Sequence, residues 1–135
     1  EDGEGATSLL EVNVINADCK EQAKKLSKSI VSSNLTKAAM FGHDLNWGRI
    51  LCAMGYAGAN FNPDTVDLYF ESNAGKIKLI ENGVEASFNM ELAKDIFSES
   101  EVIITADIKM GNEKATAWGC DLTYDYVKIN AEYSS

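Results

Sequence analysis

The stretch LLEVNVINADCKEQAKKLSKSIV, residues 9–31, changes its hydrophobic period partway along. In its first half Leu10, Val12 and Val14 alternate with Glu11 and Asn13, the period of two that a strand with one buried face requires. In its second half Cys19, Ala23, Leu26, Ile30 and Val31 fall on one helical face, opposite Lys20, Lys24, Lys25 and Lys28. Asp18 followed three residues later by Glu21 has the form of a capping box, which predicts the switch from strand to helix at Asp18. A strand running directly into an amphipathic helix supplies both a sheet and a cover for it. The lysine row reads as the solvated side of that helix rather than as a binding patch.

After the break at Ser32, Ser33 and Asn34, residues 35–41 fit a short helix or a strand equally well. The next segment, FGHDLNWGRI at 41–50, holds the only His, a Trp, two Gly, an Asp and an Asn. Two readings stand side by side: a capped helix start, or part of an active site. Asp44 and Asn46 are both competent N-caps for a helix to about Tyr56. Trp47, Ile50, Leu51 and Met54 form a large apolar stripe on it, and Gly48, Cys52, Gly55 and Ala59 a small one. A mid-helix Gly costs roughly 1 kcal/mol relative to Ala, so the small stripe predicts a closely packed neighbour.

Pro63 and Asp64 open a turn into a strand over Val66 to Phe70, with Lys76 to Ile80 as its hairpin partner and a tight turn at Asn82-Gly83. Val84 to Ser87 extends the sheet briefly, and Asn89 to Phe97 carries Met90, Ala93, Ile96 and Phe97 at helical spacing. Glu101 to Met110 and Lys114 to Trp118, joined at Gly111-Asn112, read as a second hairpin. The tail from Tyr124 to Ser135 contains Tyr124, Tyr126, Val127, Ile129 and Tyr133, too apolar to fray, and is expected to dock as a helical turn or two. The fold class that follows is α+β: a mostly antiparallel sheet with helices packed on one face, in a single domain over residues 1–135.

Composition narrows the function classes. With 135 residues, 45% hydrophobic and 24% charged, the chain has the make-up of one globular domain. A net charge of −9 argues against nucleic acid, and no apolar run approaches the ~18 residues of a membrane span. The opening Glu1, Asp2 and Glu4 do not read as a signal peptide, and the expectation is a fragment or processed product. Cys19, Cys52 and Cys120 lack C-x-x-C spacing and are expected as free thiols in a reducing, cytoplasmic setting. One His and three scattered Cys make no metal cluster, and no nucleophile motif is present, so no metal or cofactor is expected. EDGEGAT at 1–7 reads as a turn and not as a dinucleotide fingerprint. Glu4 is either a turn residue or the partner of a cation such as a substrate ammonium. Thr7 follows Ala6 but lies inside the chain, where it has no free amine to activate it as a nucleophile.

DGEGAT at 2–7, FGHDLNWGRI at 41–50 and YDYVKINAEYSS at 124–135 stand in an order and at separations that resemble the C-terminal part of the β chain of the ornithine acetyltransferases, also called glutamate N-acetyltransferases. The resemblance covers the whole chain. It implies a precursor that cleaves itself at an Ala-Thr bond, whose freed Thr takes the acetyl group of N-acetylornithine as an acyl-enzyme and passes it to glutamate in arginine biosynthesis. Some members also use acetyl-CoA as donor. The resemblance further implies substrate contacts at Glu4, Asn130 and Ser135. The reactive Thr would lie upstream, so no catalytic residue is expected in this chain. The oxyanion-hole groups would lie on the α chain, so the partners expected are the α chain and the rest of the β chain, in a hetero-oligomer. FGHDLNWGRI then reads as a support for the pocket edge, with the roles of His43 and Arg49 open. The rival reading is a non-catalytic amino-acid-binding or subunit-assembly module.

Overall fold

The computed structural model describes residues 8–33, 36, 48–120 and 127–130. Within them lie strands β1 (Leu9–Ala17), β2 (Asp67–Ser72), β3 (Gly75–Glu81), β4 (Val84–Glu85), β5 (Glu101–Asp107), β6 (Glu113–Cys120) and β7 (Val127–Asn130). The helices among these residues are α1 (Lys20–Ser32), α2 (Gly48–Gly55) and α3 (Met90–Phe97). The strands form one sheet in the order β4-β3-β2-β5-β1-β6-β7. Every neighbouring pair is antiparallel except β1 with β5. The expected α+β class therefore holds.

The alternation in β1 decides which face is covered. Leu10, Val12 and Val14 are buried, beside Val102, Ile104 and Ala106 of β5 and Ala115 and Ala117 of β6. Onto this surface α1 lays Ala23, Leu26, Ile30 and Val31, as its sequence period requires. The other half of the sheet buries Leu68, Phe70, Ile77 and Leu79 beneath Ala93, Ile96 and Phe97 of α3. Phe70 and Phe97 meet edge to face, with ring centroids 4.9 Å apart and planes at 89°. At the β3–β4 corner Asn82 and Gly83 have φ of 49° and 80°, both positive, as a type I′ turn needs.

Several local expectations are corrected. The runs at 101–110 and 114–118 are not a hairpin, because β1 lies between β5 and β6 and pairs with both. Their connection crosses the end of β1 instead: Ile108 N–H donates to the Ile15 carbonyl, and Met110 and Gly111 N–H both donate to that of Asn16. A Cβ at Gly111 would stand 2.5 Å from the Ala17 carbonyl oxygen, so this Gly serves a close backbone approach and not a two-strand turn. The cap of α1 is also one residue later than expected, at Cys19 rather than Asp18, with Gln22 N–H donating to Cys19 Sγ at 3.4 Å. Gln22, not Glu21, supplies the reciprocal bond by accepting from Asp18 N–H at 2.6 Å, and its amide nitrogen donates to the Asn60 carbonyl. Glu21 points outward and is exposed.

In α2 the buried residues are Ile50, Ala53 and Met54, and Ser29 of α1 hydroxyl-bonds the Ala53 carbonyl at 2.6 Å. Of the small stripe, Cys52 and Gly55 are exposed and a Cβ on Gly55 would meet nothing within 4 Å, whereas Ala59 packs half-buried against the core. The helix ends at Gly55, and its expected caps Asp44 and Asn46 lie outside the described residues. In the tail, 127–130 is an extended strand on β6 rather than a helical turn. Val127 and Ile129 are two apart, which is strand spacing, and the β6 edge was open to receive them.

One ionic knot ties β2 and β3 to the turn at Asn82 and the connection at Lys109. Asp67 is only 5% exposed and accepts from Asn82 N–H at 2.9 Å. Lys109 Nζ stands 3.0 Å and Lys78 Nζ 3.6 Å from its carboxylate. Asp107, its register partner, accepts from Asn16 Nδ2 at 3.0 Å and Lys109 N–H at 3.2 Å. Burial alone would raise the Asp67 carboxyl, but the Asn82 amide and the two lysines outweigh it and hold it below its ordinary 3.8. Stability from this charge is therefore full above that value and is lost as pH falls through the lowered folded value.

Replacing Asp67→Asn keeps the shape but drops the charge. It is expected to cost about 1–2 kcal/mol at pH 7. The deficit against wild type should shrink as pH falls below 3.8 and vanish once the carboxyl is protonated in the folded protein, as read from urea midpoints across a pH series. A deficit independent of pH would contradict the knot. Phe70→Ala should cost about 3–5 kcal/mol in the same assay, from the lost transfer energy and the cavity left beside Phe97.

Candidate functional site

The face of the sheet away from the helices is the polar half of the same alternation. Register carries one row of side chains across it: Asn130 of β7 faces Thr116 of β6, Thr116 faces Asn13 of β1, and Asn13 faces Thr105 of β5. Thr105 faces Tyr69 of β2, and Tyr69 faces Lys78 of β3. Lys76 and Lys78 lie over the Tyr69 ring, at 5.2 and 5.4 Å from its centroid. The row thus runs from two amides and two hydroxyls at one edge to a cation-flanked phenol toward the other.

A directed hydrogen-bond chain links this row to its neighbour. Glu11 accepts from Trp118 Nε1 at 3.0 Å with one oxygen and from Asn13 Nδ2 at 2.9 Å with the other. Asn13 Oδ1 accepts from Thr116 Oγ1 at 2.6 Å. The direction is forced, because an ionised carboxylate only accepts. Asn13 must turn its NH₂ to Glu11 and its oxygen to Thr116, so the Thr116 hydroxyl must donate inward.

Beside Glu11 the face hollows to about 300 Å³, at the end of the sheet where β1 and β5 begin. Glu11, Glu71, Glu99 and Glu101 line it, with Ser72 and Asn73, and no Lys or Arg does. Its field favours a cation over an anion. An acidic rim also keeps an open sheet solvated, so the hollow by itself assigns nothing.

Of the residues implied as substrate contacts, Asn130 is an exposed residue at the end of β7, on this open face. Glu4 and Ser135 lie outside the described residues, as does His43. Arg49 is half-buried in the first turn of α2. Thr116, Asn13 and Glu11 were not singled out from sequence. Alternation with Leu10, Val12 and Val14 marked Glu11 and Asn13 as outward-facing, but only the β1–β6–β7 register places them and Thr116 in line with Asn130. Among the described residues no group of three or more His, Cys, Asp or Glu has the geometry to hold a metal ion, and no helix is long and apolar enough to cross a membrane.

Comparison with known proteins sets this chain in a family. The model of the ArgJ family matches residues 1–135. The arginine biosynthesis bifunctional protein ArgJ of Caldanaerobacter subterraneus subsp. tengcongensis is 55% identical over 132 residues, 98% of this chain and 33% of the relative. The glutamate N-acetyltransferase of Methanosarcina mazei is 47% identical over 135 residues, 99% of this chain and 34% of the relative. The crystal structure of the arginine biosynthesis bifunctional protein ArgJ of Bacillus halodurans superposes with a TM-score of 0.78 at 42% identity, covering 93% of this chain and 57% of that one. The chain thus spans about a third of the length of these two sequence relatives. Matched along its whole length by the family model, and sharing the fold of a solved member, the chain belongs to the ArgJ family.

Proposed function

We propose that residues 1–135 are the substrate-binding C-terminal domain of the β chain of an ornithine acetyltransferase. The reaction is transfer of the acetyl group of N-acetylornithine to glutamate through an acyl-threonine, within arginine biosynthesis. The observation that carries this reading is the placing of Asn130, on the open face at the end of a polar row, in a chain whose relatives include proteins named glutamate N-acetyltransferase. Helices cover the opposite face.

In this reading Asn130, Glu4 and Ser135 hold the amino-acid substrate. Glu4 supplies a negative charge to the ammonium group, and Asn130 and Ser135 supply neutral hydrogen bonds that fix its orientation. Such contacts place the acetyl carbonyl against a nucleophile held elsewhere, and positioning of this kind is a large part of a transfer enzyme's advantage. The attacking Thr and the groups that stabilise the oxyanion come from the α chain and the rest of the β chain, in a hetero-oligomer in the cytoplasm. Acetyl-CoA is an alternative donor. Exposed Cys52 and Gly55 of α2 and Tyr56, 80% exposed just beyond it, support a further role of this domain in assembly with those parts.

Two measurements test the proposal. The isolated 135-residue chain should give no acetyl transfer from N-acetylornithine to glutamate, and turnover above background would show that it holds its own nucleophile. In the intact enzyme Asn130→Ala should lower kcat/KM for N-acetylornithine roughly 10- to 100-fold, the worth of a hydrogen bond to a charged or developing group. The melting temperature should be unchanged, since Asn130 is exposed. Wild-type kinetics in this variant would remove Asn130 from the site.

A further inference from the structure

We infer that Thr116 is a positioning residue for Asn130, and that the chain Glu11–Asn13–Thr116 sets which way the Asn130 amide points. The inference rests on the reading of Asn130 as a substrate contact. Thr116 and Asn130 are direct register partners on an antiparallel pair, so their side chains share a face with Cβ atoms about 4.5–5.5 Å apart. The Thr116 proton is already committed to Asn13 Oδ1 at 2.6 Å. That commitment is forced by Glu11, which accepts from Asn13 Nδ2 at 2.9 Å and has no proton to give. Toward Asn130, therefore, Thr116 Oγ1 offers lone pairs only.

An Asn facing a pure acceptor presents its NH₂ to it and turns its Oδ1 the other way. Without Thr116 no acceptor stands across the strand pair to favour one orientation of the amide over the other. With it, Asn130 shows an oxygen to the substrate, suited to an N–H of an ammonium or an acetamido group. A carboxylate ligand would need the opposite orientation. Glu11 is held in its own place by Trp118 Nε1 at 3.0 Å. Its charge starts the sequence of donors and acceptors that ends at Asn130, across three adjacent strands.

A double-mutant cycle in the intact enzyme tests this. Thr116→Val removes the hydroxyl at nearly constant volume, and should lower kcat/KM for N-acetylornithine roughly 3- to 10-fold, as expected for one neutral hydrogen bond. Thr116→Ser keeps the hydroxyl and should stay within about 2-fold of wild type. In an Asn130→Ala background Thr116→Val should have no further effect, because there is no amide left to orient. Glu11→Gln, whose amide can donate and so frees Asn13 to flip, should lower kcat/KM in wild type and likewise add nothing to Asn130→Ala; it serves if Thr116→Val does not fold. Impaired Asn130→Ala with fully additive losses from Thr116→Val or Glu11→Gln overturns the positioning role and leaves the substrate contact standing. Wild-type kinetics in Asn130→Ala overturn the contact itself, and the positioning role with it.

Discussion

Strand β1 is hydrogen-bonded on both edges, parallel to β5 and antiparallel to β6, and the rest of the domain depends on that placement. Its inward residues Leu10, Val12 and Val14 are the middle of the apolar floor on which α1 packs. Its outward residues Glu11 and Asn13 are the middle of the polar face. A slip of one residue in its register would exchange the two sets, burying a carboxylate and an amide beneath α1. That penalty pins β1, and a pinned β1 aligns β6 and through it β7. The position of Asn130 is thus determined by apolar burial on the other side of the sheet.

The same logic explains why the two faces have such different chemistry. The covered face spends its residues on packing, from Val12 to the Phe70–Phe97 edge contact. The open face carries amides, hydroxyls, carboxylates and lysines that hold one another in fixed directions. The knot at Asp67 closes one end by joining the turns at Asn82 and Lys109. The chain Trp118–Glu11–Asn13–Thr116 organises the opposite half. Hydrogen-bonded polar rows of this kind resist reorientation.

Much of the fold was legible in the sequence because period and turn chemistry are local. The alternation in 9–15, the helical faces of α1 and α3, and the Asn82-Gly83 turn are all where local rules put them. The errors came where a distant strand decided the outcome. Gly111-Asn112 looked like a hairpin turn, yet β5 and β6 both pair with β1, which lies far back along the chain at Leu9–Ala17. The Asp18–Glu21 box lost to Cys19 and Gln22 because Gln22 also has the Asn60 carbonyl to satisfy once buried. The tail became a strand at 127–130 because β6 offered an unpaired edge. For the site, the resemblance pointed to Asn130, and no local pattern could have pointed to Thr116. Its alignment with Asn130 exists only after three strands are in register.

The domain, then, is a sheet whose buried face sets the geometry of its exposed one, and whose open-face edge carries Asn130, the residue proposed to contact the substrate. A crystal structure of the intact enzyme with ornithine bound tests this most directly. Ornithine within about 3.2 Å of the Asn130 amide, at the open-face edge where β7 meets β6, is the expected result. Ornithine seated out of reach of Asn130, or a β7 paired in a register that turns Asn130 toward α1, would contradict it.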